Sequence, residues 1–348
     1  MSIEKSVFGK APCGREVDEY TLTNSNGMSC QVLTYGLRIR KLFTKDRDGN
    51  LGDVVLGYDT LEDYFGSDFQ GSFVGRYANR IGNASFQLNG VTYNLDKNDG
   101  ENTLHGGTKG YHQVVWDVES INDGGEPSIT FTHTSPDGDE NYPGNLSIKV
   151  TYTLTAKDEL KLDYEAASDK ATPFNPTNHS FFNLSGDHSK NVFDVTLRIN
   201  ASNYTKVSDD LIPTGEIAPV KDTCLDFTAG KKLGADMFAD DHLMRICGGF
   251  DHNFCVDGEG LRLHAVAADE ISGRIMEGYS DMPGIQLYTF NKAPDKTGKN
   301  GVKMTNHSAL CLETQFYPDS VNHSNFPFKV TEPDSPFKST TIYKFSAE

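Results

Sequence analysis

The stretch Leu146-Ser147-Ile148-Lys149-Val150-Thr151-Tyr152-Thr153-Leu154 alternates apolar and polar residues without a break. A period of two marks a strand with one buried and one wet face, because successive side chains leave a pleated chain on opposite sides. The pattern recurs at Ile129, Phe131 and His133, at Leu160, Leu162 and Tyr164, at Phe193, Val195, Leu197 and Ile199, and around Leu261 and Leu263. Turn-forming clusters separate these runs: Lys45 to Asn50, Leu88-Asn89-Gly90, Asn122 to Gly125, and Pro136 to Asp139. Only Thr60 to Tyr64 and Gly234 to Phe238 read as short helical pieces, and no long stripe of helical period is present. Many short strands joined by Gly, Asn and Asp turns predict an all-β fold, a large β-sandwich, and disfavour a doubly wound nucleotide fold.

The same patterning continues to both ends, from Cys30-Gln31-Val32-Leu33 to Thr341-Ile342-Tyr343-Lys344-Phe345. A length of 348 residues admits two average domains, yet no linker, low-complexity tract or repeat divides the chain. Residues 1–348 are therefore expected to form a single domain.

A net charge of -17 repels phosphate backbones and anionic lipid, which excludes nucleic acid and membrane surfaces as partners and leaves uncharged, hydroxyl-rich ligands open. The first residues are charged and broken by Gly and Pro, without the apolar core of a secretory signal, and no later run is apolar enough to span a membrane. Six scattered cysteines form no CxxC pair, so zinc and dithiol chemistry lack support. Eight N-x-[ST] sequons include Asn178 and Asn183 beside candidate site residues, where glycans would obstruct a pocket. These features together predict a reduced, cytoplasmic protein, monomer or homodimer.

Nucleotide, lipase-type and zincin motifs are missing. Asp46-x-Asp48-x-Asn50 opens like a calcium loop, but Leu51 and Gly57 stand where such a loop needs Gly and a bidentate Glu, so it reads as a turn. What remains is a set of polar residues in apolar or glycine-rich surroundings. In Phe174-Asn175-Pro176-Thr177-Asn178-His179-Ser180-Phe181-Phe182-Asn183-Leu184, alternation puts His179 and Phe181 on one face. Taken alone, His179 reads as a core-edge histidine. In Ala309-Leu310-Cys311-Leu312-Glu313-Thr314-Gln315-Phe316, Glu313 shares a face with Ala309 and Cys311, and burying that carboxylate costs several kcal/mol unless it is paired. An edge-strand glutamate facing solvent is the equal alternative. Three further segments, Ala78-Asn79-Arg80-Ile81-Gly82-Asn83, Asn102-Thr103-Leu104-His105-Gly106-Gly107 and Gly249-Phe250-Asp251-His252-Asn253-Phe254, are individually weak. Gly106 and Gly107 either make a turn or let the backbone approach a ligand. His252 reads as a packing or hydrogen-bonding neighbour, and Trp116, the single tryptophan, as core.

Taken in order, NRIGN, ENTLHGG, FNPTNHSFFNLSG, GFDHNF, PGIQLYT and CLETQFYPDSVNH resemble the motifs of the aldose 1-epimerase family, the galactose mutarotases. The resemblance runs from the LTYGLRIRKL strand to TTIYKF. It implies a single large sandwich with a sugar cleft and no cofactor or metal. It implies Glu313 as general base and His179 as general acid, and Asn79, Arg80, His105, Asp251 and Gln286 as contacts to an aldose such as galactose or glucose. A Glu with a pKa near ~4.3 is already ionised at neutral pH, while a His near ~6.5 needs help to stay protonated. The field of Glu313 or Asp251 is expected to raise His179. Three other readings stay open: a glycoside hydrolase using Asp251 and Glu313, a hexose 6-phosphate epimerase, which needs extra basic residues at the cleft rim, and a non-catalytic sugar-binding or sensing module. The segments between the motifs leave the preferred aldose unspecified.

Overall fold

In the stretch from Leu146 to Leu154, every apolar residue is buried and every polar one is partly or fully exposed. It is one strand of a nine-stranded sheet, and fully burying a Val, Leu or Ile side chain contributes roughly 1.5–3 kcal/mol, so its five apolar residues pin its register. The computed structural model describes residues 2–66 and 68–348. In sheet order the nine strands are Asp117–Asn122, Ser128–Ser135, Leu146–Leu154, Glu159–Ser168, Phe337–Ala347, Arg274–Ser280, Arg262–Ala268, Thr196–Ile199 and Lys231–Lys232. Phe337–Ala347 lies between strands from the middle and the late part of the chain, antiparallel to both.

A five-stranded meander, Ser2–Lys10, Glu16–Thr23, Ser29–Leu33, Ile39–Lys45 and Leu51–Asp53, forms a second sheet. A third runs Pro213–Pro219, Asn203–Val207, Asp251–Cys255, Gly284–Tyr288 and Cys311–Gln315. Residues from all three share one buried apolar cluster, which includes Leu42, Ile148, Leu162, Tyr343 and Leu312. The architecture is the expected all-β sandwich. Trp116 packs edge-on against Phe73 in that cluster, with ring centroids 5.2 Å apart.

The turn signals sit where the sequence places them. Asn89 and Gly90, both at positive φ, join Ser85–Leu88 to Val91–Asn94 in a tight hairpin. Asp46 Oδ1 accepts the backbone N–H groups of Asp48 and Asn50, which makes that segment a turn.

Helix placement differs from expectation. Thr60 to Tyr64 and Gly234 to Phe238 yield only single 3₁₀ turns, at Glu62–Tyr64 and Leu233–Ala235. Among the described residues the one α-helix is His242–Cys247, capped by the Asp241 carboxylate at the Leu243 N–H and ended by Gly248 at φ 69. Six residues are too few to display a stripe, so only the Asp and Gly punctuation announced it. The run from Phe193 becomes a strand only at Thr196, because Phe193 and Val195 accept bonds from Gly234 and Leu233 in a connecting loop. No described helix is long and apolar enough to cross a membrane.

Candidate active site

The third sheet supplies three side chains in neighbouring strands. Gln286 pairs with Asn253 on one side and Glu313 on the other, so Asp251, Gln286 and Glu313 project from the same face. His179 arrives on Thr177–His179, a short strand paired with Ser72–Val74. Two ties bracket its approach to Glu313: Phe182 and Leu310 exchange backbone hydrogen bonds, and Asn175 Oδ1 accepts the Phe316 N–H. His179 Nε2 then lies 3.5 Å from Glu313 Oε1. Phe69 and Phe181 stack on the imidazole at centroid distances of 5.9 and 4.9 Å, consistent with His179 and Phe181 sharing a face.

Arg80 and His105 are set by a second short pairing, Arg80–Ile81 with Thr103–Leu104. Asn79 and His105 both adopt positive φ and lock each other: the His105 N–H donates to the Asn79 carbonyl, and the Asn79 N–H donates to His105 Nδ1, each at 3.1 Å. Arg80 Nε donates to Asp99 at 2.7 Å, and its Nη1 lies 3.9 Å from Asp251. Gln286 Nε2 donates to Asp251 Oδ1 at 2.6 Å.

These residues surround a cleft of about 610 Å³. Asn79, Arg80, His105, His179, Asp251 and Glu313 line it, while Gln286 stands behind Asp251. Its aromatic wall, with Phe65, Phe69, Phe181, Tyr288 and Phe290, and its rim lysines, Lys292 and Lys296, escaped the sequence reading. Phe181 and Tyr288 carried a local signal, their two-residue offsets from His179 and Gln286 on short strands; Phe65, Phe69 and Phe290 come from loops with no periodicity. Gly106 and Gly107 do not approach the cleft: a Cβ at Gly106 would meet the Gly75 carbonyl oxygen at 2.2 Å, and one at Gly107 the Glu140 carboxylate at 2.2 Å. At Gly106 the missing side chain serves backbone packing, and at Gly107 it leaves room for Glu140. His252 is fully buried and accepts the Asp251 N–H at Nδ1, as a hydrogen-bonding neighbour should. Asn178 and Asn183 are buried and bonded within the fold, so neither sequon is open to a glycan.

Electrostatics reverse one expectation. Burial lowers His179 to about 4 and raises Glu313 well above the usual carboxylate range, the latter reinforced by Asp251. Desolvation of the charged forms outweighs the attraction between the two groups. Both shifts favour the uncharged pair, a protonated Glu313 beside a neutral imidazole. Glu313 Oε2 is buried and has no hydrogen-bond partner among the described residues. Burial likewise raises Asp251 and lowers His105.

His105, His179 and Glu313 bring ligand-type atoms within 4.8 Å of one another. Two imidazoles and a carboxylate are a common metal set. However, His105 Nδ1 accepts a backbone N–H, so its neutral ring carries the proton on Nε2 and has no second lone pair for a cation. The trio suits hydrogen bonds to hydroxyls better than coordination.

The aldose 1-epimerase family model matches residues 18–344. Galactose mutarotases from Bos taurus and Homo sapiens are each 41% identical over 99% of both chains. The aldose 1-epimerase of Escherichia coli is 33% identical, covering 97% of this chain and 98% of its own. Among solved structures, the galactose 1-epimerase of Lactobacillus acidophilus NCFM aligns with a TM-score of 0.87 at 28% identity, covering 100% of this chain and 99% of its own. An aldose epimerase homologue from C. elegans gives 0.86 at 29%, covering 94% and 98%. With a family match across the chain and close relatives along its full length, this chain belongs to the aldose 1-epimerase family.

Proposed function

We propose that this aldose 1-epimerase interconverts the α and β anomers of free hexoses such as galactose and glucose, with Glu313 and His179 moving the protons. The observation that carries the reading is His179 Nε2 facing Glu313 Oε1 at 3.5 Å in the cleft. Anomer exchange removes a proton from the anomeric hydroxyl and delivers one to the ring oxygen. Glu313 takes the first as the C1–O5 bond opens, and His179 supplies the second. The free aldehyde turns about C1–C2 and recloses on its other face, with both protons returned. The single proton of the resting pair is the number this cycle needs, and it moves from the Glu313 carboxyl to Nε2 before the ring opens.

Arg80, Asp251, Asn79 and the His105 Nε2–H hold the sugar hydroxyls, and Gln286 orients Asp251. We take residues 1–348 as one catalytic domain, because Phe337–Ala347 ties the middle and late strands into one sheet. The protein works free of membranes as a monomer or homodimer. The hexose 6-phosphate reading gains one observation: Lys292 at the rim is exposed and has no carboxylate partner among the described residues, whereas Lys296 lies 3.7 Å from Asp68.

Polarimetry on freshly dissolved α-galactose, α-glucose and glucose 6-phosphate tests these readings. Faster decay for a free hexose is expected, and acceleration of the phosphate alone transfers the assignment to the second reading. Glu313→Gln and His179→Asn are each expected to lose roughly 10²–10⁴-fold in kcat with circular dichroism unchanged. Normal turnover by either variant removes that residue from the mechanism.

A further inference from the structure

The mechanism leaves one buried nucleophilic group beside the proton-transfer pair unexplained. Cys311 lies on the same strand face as Glu313, fully buried among Phe181, Phe290, Met304 and Ala309. Its Sγ is 3.6 Å from His179 Nδ1, while the other ring nitrogen faces Glu313. We propose that Cys311 is a positioning residue for His179, its sulfur holding the neutral imidazole's proton on Nδ1 and leaving Nε2 as the nitrogen that exchanges protons. The inference rests on the reading of His179 as a proton-transferring group.

The argument is one of proton placement. In the cycle above, Nε2 receives the carboxyl proton of Glu313 and passes it to the ring oxygen as the C1–O5 bond breaks, while Glu313 takes the proton of the anomeric hydroxyl. Nε2 can receive that proton only if its lone pair is free, so the neutral ring must carry its hydrogen on Nδ1. The group beside Nδ1 must then accept. Cys311 is suited to this in a particular way. Its thiol stays protonated, because burial above all opposes a thiolate, and any negative charge on Glu313 or Asp251 adds to this. A thiol is both a weak donor and a weak acceptor, and the carboxyl proton of Glu313 directed at Nε2 calls for the accepting role at Nδ1, which the sulfur fills without stabilising the imidazolium as a carboxylate would. The result is an oriented ring that gives its proton up readily.

His105 provides the contrast. Its Nδ1 accepts the Asn79 N–H, which holds the proton on Nε2 and makes it a permanent donor toward the cleft. The two histidines, with ring centroids 5.2 Å apart, are thus held in opposite tautomers for different tasks. The backbone carbonyl of His179 also accepts from its own ring, and among the described residues Cys311 is the side chain placed to bond Nδ1. Phe69 and Phe181 cover its faces, the Tyr288 ring lies 6.2 Å away, and Arg38 and His112 act only through their fields.

Long-range ¹H–¹⁵N spectra of histidine-labelled protein report the proton on each ring nitrogen, and His179→Asn identifies the signals. The wild type is expected to show His179 protonated at Nδ1 and His105 at Nε2. Cys311→Ala should shift the His179 proton to Nε2 and lower kcat roughly three- to tenfold, the equivalent of one hydrogen bond, with KM within about twofold. Cys311→Ser supplies a stronger acceptor. It should keep the Nδ1 proton, retain most of kcat and move the acid limb of the pH–rate profile upward. The proposal is overturned if wild-type His179 carries its proton on Nε2. It is also overturned if Cys311→Ala leaves the tautomer unchanged, whatever happens to the rate, since Cys311 then only packs. Normal turnover by His179→Asn defeats the catalytic reading instead, independently of the tautomer.

Discussion

Glu313 and His179 are buried side by side, and burial penalises charge on both, so their acid and base strengths move in opposite directions. This has a direct kinetic consequence. In the proposed scheme the working state holds one proton between the two groups. Lowering the pH adds a second proton only near the lowered His179 value of about 4, rather than near ~6.5 as for a free histidine. The kcat/KM of the free enzyme should therefore stay flat from pH 7 to 5 and fall only toward pH 4, measured in brief assays where circular dichroism shows an intact fold. An acid limb centred near 6.5 would contradict this assignment. Gln286 offers a second test. It touches Asp251 rather than lining the cleft, so Gln286→Leu should raise KM roughly three- to tenfold, the loss of one hydrogen bond, with little change in kcat. An equal fall in kcat would give Gln286 a part in the chemistry itself. That Glu313 and His179 stand out from apolar surroundings was legible in the sequence, but the proton's location was not, because it depends on burial from several strands at once.

The elements that deliver these side chains are short, and their precision comes from backbone packing. Arg80–Ile81 and Thr103–Leu104 pair over two residues each, and the chain after them turns through His105, Gly106 and Gly107, all at positive φ. Gly106 has no room for a side chain, since its Cβ would overlap the Gly75 backbone. Gly106→Ala should destabilise by more than the roughly 1–3 kcal/mol of left-handed strain alone, and should weaken sugar binding by displacing His105. Gly90→Ala is the control, because Gly90 has a similar φ but nothing within 4 Å of its would-be Cβ. Equal losses in melting temperature would show that crowding at Gly106 is relieved at no cost. The sequence marked both glycines as turn positions but assigned Gly106 and Gly107 a possible ligand, because a backbone neighbour and a ligand impose the same demand for a missing side chain. Long alternating strands such as Leu146–Leu154 were legible for the opposite reason: their buried face repeats within the local sequence. The helix His242–Cys247 was missed because its six residues are placed by tertiary packing of Met244 and Cys247.

Closure of the molecule explains both the spread of the motifs and its response to acid. Asn79 and Glu313 reach one cleft because the sheets converge on a shared core, so motif order along the chain said which residues belong together but not which would touch. That core also encloses most of the histidines. Burial is the first cause lowering His105, His112, His133, His179, His188, His252, His264 and His307, with His112 and His264 lowered to about 3 and His179 and His252 to about 4. These groups contribute stability above the unfolded value of ~6.5, and it is lost as the pH falls toward the folded values, because the unfolded chain takes up protons that the folded chain excludes. Burial raises four carboxyl groups, Glu140, Asp251, Glu313 and Asp319, and these act in the opposite direction, gaining stability as the pH falls. Eight histidines against four carboxyls leave the histidines dominant between about pH 6.5 and 4.5, at roughly 1.4 kcal/mol per pH unit for each net proton. Urea unfolding should accordingly show a midpoint that is steady above pH 7 and drops progressively from pH 6.5 to 5. A midpoint that holds or rises over that interval would mean either that the four raised carboxyls outweigh the histidines or that the histidines are protonated inside the fold, and the ¹H–¹⁵N signals of His179 at the same pH separate the two, so the paired titrations also check the neutral imidazole on which the proton-transfer scheme depends.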